Sequence, residues 1–541
     1  MQRKRSEPPL LLLAVLGLIM YMGVLFIAPF MEGADRLDEN NIDKPSVTKQ
    51  QAADAALKFA QNRFQLSSDV ETSTLYQSYT TRSGYLQKEH LYDDYVKKYG
   101  TRFPLDYYEV EINDRATGVN YFIAVHYNTL AVIGFERNKP AGAKTNRVSS
   151  AETNLNQLLG QTITDMGYKP ADFTMEPDSA ANGTYTFHSR TDSIGEAKLV
   201  LVMKAENGQT TAFRPAFSIP GSYGEWKNAQ DAKSALMTRI SMLISFLMTI
   251  VAIWIVIRCR KEIGFAKGLL LTLVFLAVYL INNFNMMPAF RTTHGSGPTE
   301  AGALFYLWFV NVFVVLMGVS TYFTLLAGRH MWHDHGWIAW STWKDHVFGD
   351  HVRTAMIRGY LLCLFLLGLQ QVMLFTAGEA FDVWAISDPA DSVYNMVYPA
   401  LFPLMAWAAA ISEEAVYRLF GIALFLKLTR NRFLAVLLPS LIWAASHTQY
   451  PIYPVYTRLV EVTVIGLIFG WAFLRFGFLT VVFAHAAMDS ILMGLSLLYM
   501  GEPLQALLGI VYLVVPALAG WLLSWLHRTY ADGGRIRPFP R

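Results

Sequence analysis

At 541 residues, 53% hydrophobic and only 16% charged, the chain lies outside soluble globular composition and reads as a membrane protein. Its 45 Lys and Arg against 42 Asp and Glu give a formal charge of +3, and no basic patch interleaved with aromatics points to nucleic acid. The two cysteines, Cys259 and Cys363, fall in or beside apolar runs, which excludes a disulfide framework or thiolate metal site in the polar part of the chain.

Apolar runs of about 20 residues, the length that crosses a hydrocarbon core of about 30 Å, are expected near 10–31, 237–257, 264–284, 302–326, 355–377, 395–428 (long and broken), 433–449, 459–475, 478–499 and 504–526. The first lacks a small-x-small cleavage site before Glu32 and reads as an uncleaved anchor. Basic clusters at Arg3, Lys4 and Arg5, at Arg258, Arg260 and Lys261, at Lys427, Arg430 and Arg432, and from Arg528 to Arg541 all fall on one side of a ten-span layout. That side is the cytoplasm, with both termini in it. The fold class is therefore a polytopic α-helical membrane protein of about ten spans, with an α+β extracytoplasmic domain inserted between spans one and two.

That domain is the polar segment 32–236. "SVTKQQAADAALKFAQNRF" (Ser46–Phe64) has a Ser/Thr start and helical spacing, and "YYEVEIND" and "NYFIAVHYNTLAVIGFE" alternate as strands joined by a turn. The order recurs, with a helix near 149–166 followed by strands and a hairpin at Asn207-Gly208. Helix followed by strands, twice over, resembles the small PepSY-type domains of bacterial proteins. The resemblance implies a partner-binding or gating role, and no residue cluster in the segment points to catalysis.

Farther along, the loop from Gly328 to His351 carries five histidines and four tryptophans, Trp332, Trp337, Trp340 and Trp343. His330, His333, Asp334 and His335 are conceivable metal ligands, but the tryptophans favour a helix lying in the membrane interface. Asn282, Asn283 and Asn285 close the third span and read as helix-terminal hydrogen bonding.

"WAAAISEEAVYRLFGIALF" (Trp407–Phe425) places Glu413, Glu414 and Arg418 at the centre of the sixth span. One ionisable residue there costs roughly 2.5–3.5 kcal/mol on lenient insertion scales, so the group needs a reason. Glu414 and Arg418 share a helix face, and a charge-assisted pair between them leaves Glu413 free to work. The seventh span ends in Trp443 and His447, and the ninth carries His485 and Asp489 four residues apart. A lone membrane histidine is a common packing residue, and a Glu–Arg pair a common clamp. Acidic and imidazole groups on three neighbouring helices, however, cannot all face lipid and should line one wet cavity. A glutamate with two histidines suits the addition of water to a carbonyl, hence peptide hydrolysis. No Ser-x-x-Lys, Gly-x-Ser-x-Gly or His-Glu-x-x-His appears on these helices.

Glu413-Glu414-x-x-x-Arg418, then Trp443-x-x-x-His447, then His485-x-x-x-Asp489 resemble the motifs of the CAAX-processing and bacteriocin-processing (CPBP, or Abi) intramembrane proteases, over roughly Tyr360–Leu497. The Ras-converting prenyl-protein peptidase belongs to that family. The resemblance implies Glu413 as water-activating base, His447 as its partner on the same water, His485 and Asp489 as oxyanion stabilisers, and Glu414 and Arg418 as supporting residues. Trp443 stands where phenylalanine is usual, which reads as a mild change. Asp489 stands where asparagine is common, so it must be protonated or must orient His485. Zn²⁺ held by Glu413, His447 and His485 fits the metalloprotease label of the family, and the resemblance also admits a glutamate mechanism without tightly bound metal, which is slightly preferred.

The expected divisions are an anchor over 1–31, the outer domain over 32–236, spans two to four with the interfacial loop over 237–354, a CPBP-like core over 355–530 and a cytoplasmic tail over 531–541. The expected partners are a membrane-associated peptide or protein substrate, the bilayer and a ligand of the outer domain, in a bacterial plasma membrane. The competing readings are a non-catalytic sensor or scaffold and a proton-coupled transporter, the latter disfavoured because no internal symmetry is evident in the spans.

Overall fold

The computed structural model describes residues 8–28, 45–138, 152–176, 183–294, 300–337 and 340–530. The expected tail over 531–541 lies outside the described residues. Helix α1 (Pro8–Ile27) is apolar on all sides and packs along α9 (Phe348–Phe381), where Gly17 and Gly368 bring the two backbones into direct contact.

The chain then builds a domain. Helix α2 (Lys49–Arg63) is opened by a reciprocal cap: Thr48 Oγ1 accepts from the Gln51 amide at 3.2 Å, and Gln51 Oε1 accepts from the Thr48 amide at 2.9 Å. Next come β1 (Val70–Ser78), α3 (Thr80–Lys88), α4 (Tyr92–Tyr99), β2 (Asp106–Asp114), β3 (Val119–His126) and β4 (Val132–Asn138). A second round follows, with α5 (Glu152–Asp165), β5 (Phe173–Met175), β6 (Thr184–Ile194), β7 (Ala197–Glu206) and β8 (Gln209–Ser218).

All eight strands form one antiparallel sheet in the order β1-β2-β3-β4-β8-β7-β6-β5. Each round is a four-stranded meander, and the two meanders are stitched where Phe135 and Glu136 of β4 pair with Phe213 and Ala212 of β8. Alanines 52, 53, 56 and 60 of α2 and Leu159 and Ile163 of α5 share a core with inward residues of the sheet. The hairpin expected at Asn207-Gly208 is present, with φ of 52° and 73° at those residues. Two features depart from the expected pattern. Strand β1 forms a sheet edge, and the helices α3 and α4 are inserted between β1 and β2 without counterpart in the second round.

The membrane part begins with α6 (Gly221–Arg258), a single 38-residue helix, about 57 Å long at the α-helical rise. Its first turn carries Tyr223 into the core of the domain, and its far end reaches the basic cluster at Arg258. Then follow α7 (Leu269–Asn285), α8 (Glu300–Asp334), α9, the short β9 (Trp384–Ala385), α10 (Met405–Glu413), a π-helix over Glu414–Gly421, α11 (Ile422–Thr429) and α12 (Arg432–Ser446). The chain finishes with β10 (Ile452–Tyr453), α13 (Tyr456–Phe476), α14 (Phe478–Tyr499), α15 (Pro503–Tyr512) and α16 (Val515–Tyr530).

Among the described residues, six helices are long and apolar enough to cross a bilayer: α1, α6, α8, α9, α13 and α14. The bent pair α15 and α16, meeting at 51°, makes a seventh. Helices α7 and α12, with 17 and 15 residues, are shorter, and the expected sixth span is α-helix, π-helix and α-helix in succession. By length and composition the described residues thus supply six or seven full-length spans against the ten expected.

Two local expectations are corrected. Among the described residues after α8 there is no interfacial helix before α9: Gly336, at φ 73°, turns the chain, and the tryptophans pack on protein instead. Trp332 donates its indole N–H to the Leu419 carbonyl at 2.8 Å, Trp337 stands edge-on to Trp332, and Trp340 lies on Phe478. The asparagines of α7 do not merely finish the helix. Asn283 donates to Asn311 of α8 at 2.8 Å, while Asn285 takes the Tyr398 amide and donates to its carbonyl, tying α7 to the segment that leads into α10. Buried amides need such partners, and here the partners lie across helices.

Candidate active site

The structure gathers Glu413, Glu414, Arg418, His447, His485 and Asp489 around one point between α10, α12 and α14. Glu413 Oε2 lies 4.0 Å from His447 Nε2 and 3.8 Å from His485 Nε2. Asp489 Oδ2 is 3.4 Å from the same His485 nitrogen. The side chains of Glu413, His447 and Asp489 keep about a fifth of their surface open, at 23%, 19% and 22%, so the cluster is reachable.

Each imidazole is oriented from behind. His447 caps α12 and sets Nδ1 on the Trp443 carbonyl at 2.9 Å, which turns Nε2 toward Glu413. His485 sets Nδ1 on Glu414 Oε1 at 2.8 Å, leaving its Nε2 for the cavity. Glu414 therefore serves two partners, because Arg418 Nη1 approaches the same oxygen at 3.1 Å. That approach is an ion pair without the alignment of a hydrogen bond, and both Nη atoms of Arg418 are buried without a hydrogen-bond acceptor. The guanidinium is held instead by ring faces, 3.9 Å from the Trp443 centroid and 5.1 Å from Phe469.

Trp443 is the residue whose importance sequence reasoning missed. Its indole N–H donates to Glu413 Oε2, its carbonyl holds His447, and its ring covers Arg418. A phenylalanine at this position supplies the ring and the carbonyl but not the N–H, so the departure from the usual motif alters the surroundings of Glu413. The signal was available in principle, since a buried indole N–H seeks an acceptor and a carboxylate was in reach.

A second missed group lies on α6. Ser241, Thr238 and Ser234, spaced along one helix face, donate to the carbonyls of Ile442, Ala445 and Thr448 at 2.6, 3.2 and 2.8 Å. The Ala445 carbonyl is among the last of α12, which lack intrahelical donors, and Thr448 lies just past the helix end, so the hydroxyl stripe supplies donors next to His447.

For Zn²⁺, ligand atoms must each come within about 2.0–2.2 Å of the ion, which draws them close to one another. Glu413, His447 and His485 have suitable donor chemistry, with each Nδ1 anchored as in metal sites. They do not form a closed trio, however. Among the described residues, the set of three donors lying within 4.8 Å of one another is Glu262, His330 and Asp334, away from this cluster. The Trp443 N–H also occupies the Glu413 oxygen that faces the histidines. The separations as they stand fit a bridging water better than a shared ion. Of the loop residues conceivable as ligands, His330 and Asp334 approach each other at 3.4 Å, whereas His335 sets Nδ1 on the Met331 carbonyl.

Residues 395–491 match the family of type II CAAX prenyl endopeptidases called Rce1-like. The Rce1-like region holds all six residues of the cluster. Among curated proteins, the sporulation-killing factor biosynthesis protein SkfC of Bacillus subtilis (strain 168) is 30% identical over 81 residues. The match covers 15% of this chain and 16% of that relative, so it speaks for a segment and not for either whole protein. No solved structure matches the chain.

Proposed function

We propose that the chain is an intramembrane endopeptidase that cuts a membrane-associated peptide or protein with water activated by Glu413. The observation that carries this reading is the convergence of Glu413 Oε2 with Nε2 of both His447 and His485, at 4.0 and 3.8 Å, inside an Rce1-like region. Glu413 takes a proton from water while His447 Nε2 orients it, and the water oxygen adds to the peptide carbonyl. His485, anchored by Glu414 and oriented by Asp489, faces the oxyanion as it forms. Glu413 then returns the proton to the amide nitrogen as the C–N bond breaks. Trp443 keeps Glu413 turned toward the histidines throughout.

The basic clusters support a layout with both termini in the cytoplasm, the sheet domain outside it, and a bacterial plasma membrane as the site of action. The test is cleavage of a candidate membrane peptide by the wild-type chain and by Glu413→Gln, in membranes with and without a chelator. The expected result is cleavage by wild type, unaffected by chelation, and none by the variant. Equal cleavage by both would remove Glu413 from the reaction. Loss on chelation would return a metal to it.

A further inference from the structure

The loop that follows His447 has two faces. On one side stands the Glu413 cluster. On the other, Gln449, Pro451 and Tyr453 wall a cavity of about 300 Å³ whose lining includes Thr80 of the sheet domain, Lys227 and Asp231 of α6, and Asp388. The floor is shared: Ser234 Oγ of α6 donates to the Thr448 carbonyl at 2.8 Å, one residue from His447. Gln449 is two residues from His447, no more than about 7 Å of extended chain. A group seated in this cavity therefore lies within a few residues of a bond positioned at Glu413.

The polarity of the cavity is specific. Lys227 Nζ is held by Asp231 Oδ2 at 2.6 Å, and Asp231 Oδ1 accepts from the Tyr453 hydroxyl at 2.7 Å, so both charges are spent on each other. Asp388 has no such partner. One of its oxygens accepts from the Ala390 amide at 2.9 Å, and the exposed carboxylate adds an uncompensated negative charge to the wall. One lysine against two aspartates leaves a net charge of −1 in a space large enough for one or two side chains.

We propose that this cavity is a substrate subsite that takes a cationic side chain, lysine or arginine, from the part of the peptide flanking the scissile bond on the side of the sheet domain. The subsite rests on the peptidase reading, and it deepens that reading by naming the approach: the substrate enters beneath the sheet domain, past α6 and the loop after β9. Thr80, at the start of the inserted α3, makes the sheet domain part of the wall.

The test reads binding rather than cleavage, using the full chain carrying Glu413→Gln in nanodiscs of phosphatidylcholine. The probes are two fluorescent single-span peptides that differ only in Lys or Glu at the flank. The lysine peptide should bind roughly three- to tenfold more tightly, the range expected for one favourable charge contact. Asp388→Asn retains the acceptor for Ala390 and should abolish the preference, and Asp388→Lys should invert it. Equal binding of the two peptides, binding of neither, or a preference that survives Asp388→Asn would overturn the subsite. A preference that disappears when phosphatidylethanolamine replaces part of the lipid would assign the cavity to a headgroup amine and overturn the peptide. Should the preference hold while wild type cuts nothing, the subsite stands and the peptidase reading falls.

Discussion

Trp443 shows how one atom changes a motif. Trp443→Phe keeps the ring over Arg418 and the carbonyl beneath His447 but removes the N–H from Glu413. A hydrogen bond to a charged group contributes about 1.5–3 kcal/mol, so cleavage should slow by about ten- to a hundredfold while the protein accumulates normally. A kcat measured beside a membrane-fraction blot checks both halves. Arg418→Ala should do the opposite, since it strands Glu414 in the interior at a cost of about 3–5 kcal/mol. That variant should fail to accumulate, and normal levels would contradict its role as a clamp. The members of the cluster were legible, because Glu413, His447, His485 and Asp489 are ionisable where lipid forbids it. The supports were not: an indole N–H, a carbonyl and three hydroxyls are ordinary in membrane helices until their partners are known.

Among the elements, those with local causes were legible. The Ser/Thr start and helical spacing announced α2, and Asn207-Gly208 announced the β7–β8 hairpin. Strand β1 and the inserted α3 and α4 were not, since their places depend on contacts made elsewhere: Gly84 lies against Tyr223 and Trp384, and His90 pairs with Asp382 at 3.3 Å. The turn after β2 carries its own stabiliser. Asp114 accepts from Ser67 Oγ at 2.7 Å and from backbone amides of Ser67, Ala116 and Thr117, and these bonds, the Ser67 hydroxyl first, hold its carboxyl down at about 2. A carboxylate depressed on folding stabilises above its unfolded value near 3.9, and that contribution is lost as pH falls through the folded value. Asp114→Asn should therefore lower the melting temperature of the sheet domain at neutral pH. The gap to wild type should narrow from about pH 4 downward, and a gap independent of pH would show that the ionised form is not what matters.

The two halves of the molecule are joined by more than the chain. Asn395, fully buried at the start of the Rce1-like region, behaves as a short extra strand at the sheet edge: its Oδ1 accepts from the Tyr76 amide and its Nδ2 donates to the Tyr76 carbonyl, both at 2.8 Å. Arg291 adds bonds to Ser73 and Glu111, and Trp226, Trp384 and Tyr453 stack where α6 enters the membrane part. Asn395→Ala leaves two backbone groups of β1 unpaired, at about 1–3 kcal/mol each. Hydrogen exchange should quicken at residues 70–78 before it does in α12 or α14. Exchange that stays slow there would mean that the aromatic stack alone holds the domain down. None of this joint was visible in advance, because a buried asparagine in a loop has the same letters as an exposed one.

The eight π-helical residues from Glu414 to Gly421 have a further consequence. Hydrogen bonds that skip one residue farther than in an α-helix let the same axial length hold a surplus residue. Because of that surplus, the segments before and after it run out of phase, and Glu413 can face the histidines while Arg418 remains beneath Trp443. Excising Val416 would let the ladder close as an uninterrupted α-helix and would swing one side against the other by about 100°. Such a chain should keep its helical content by circular dichroism and lose all cleavage. If cleavage persisted, a regular helix would already be competent, and the surplus residue would serve something other than the chemistry.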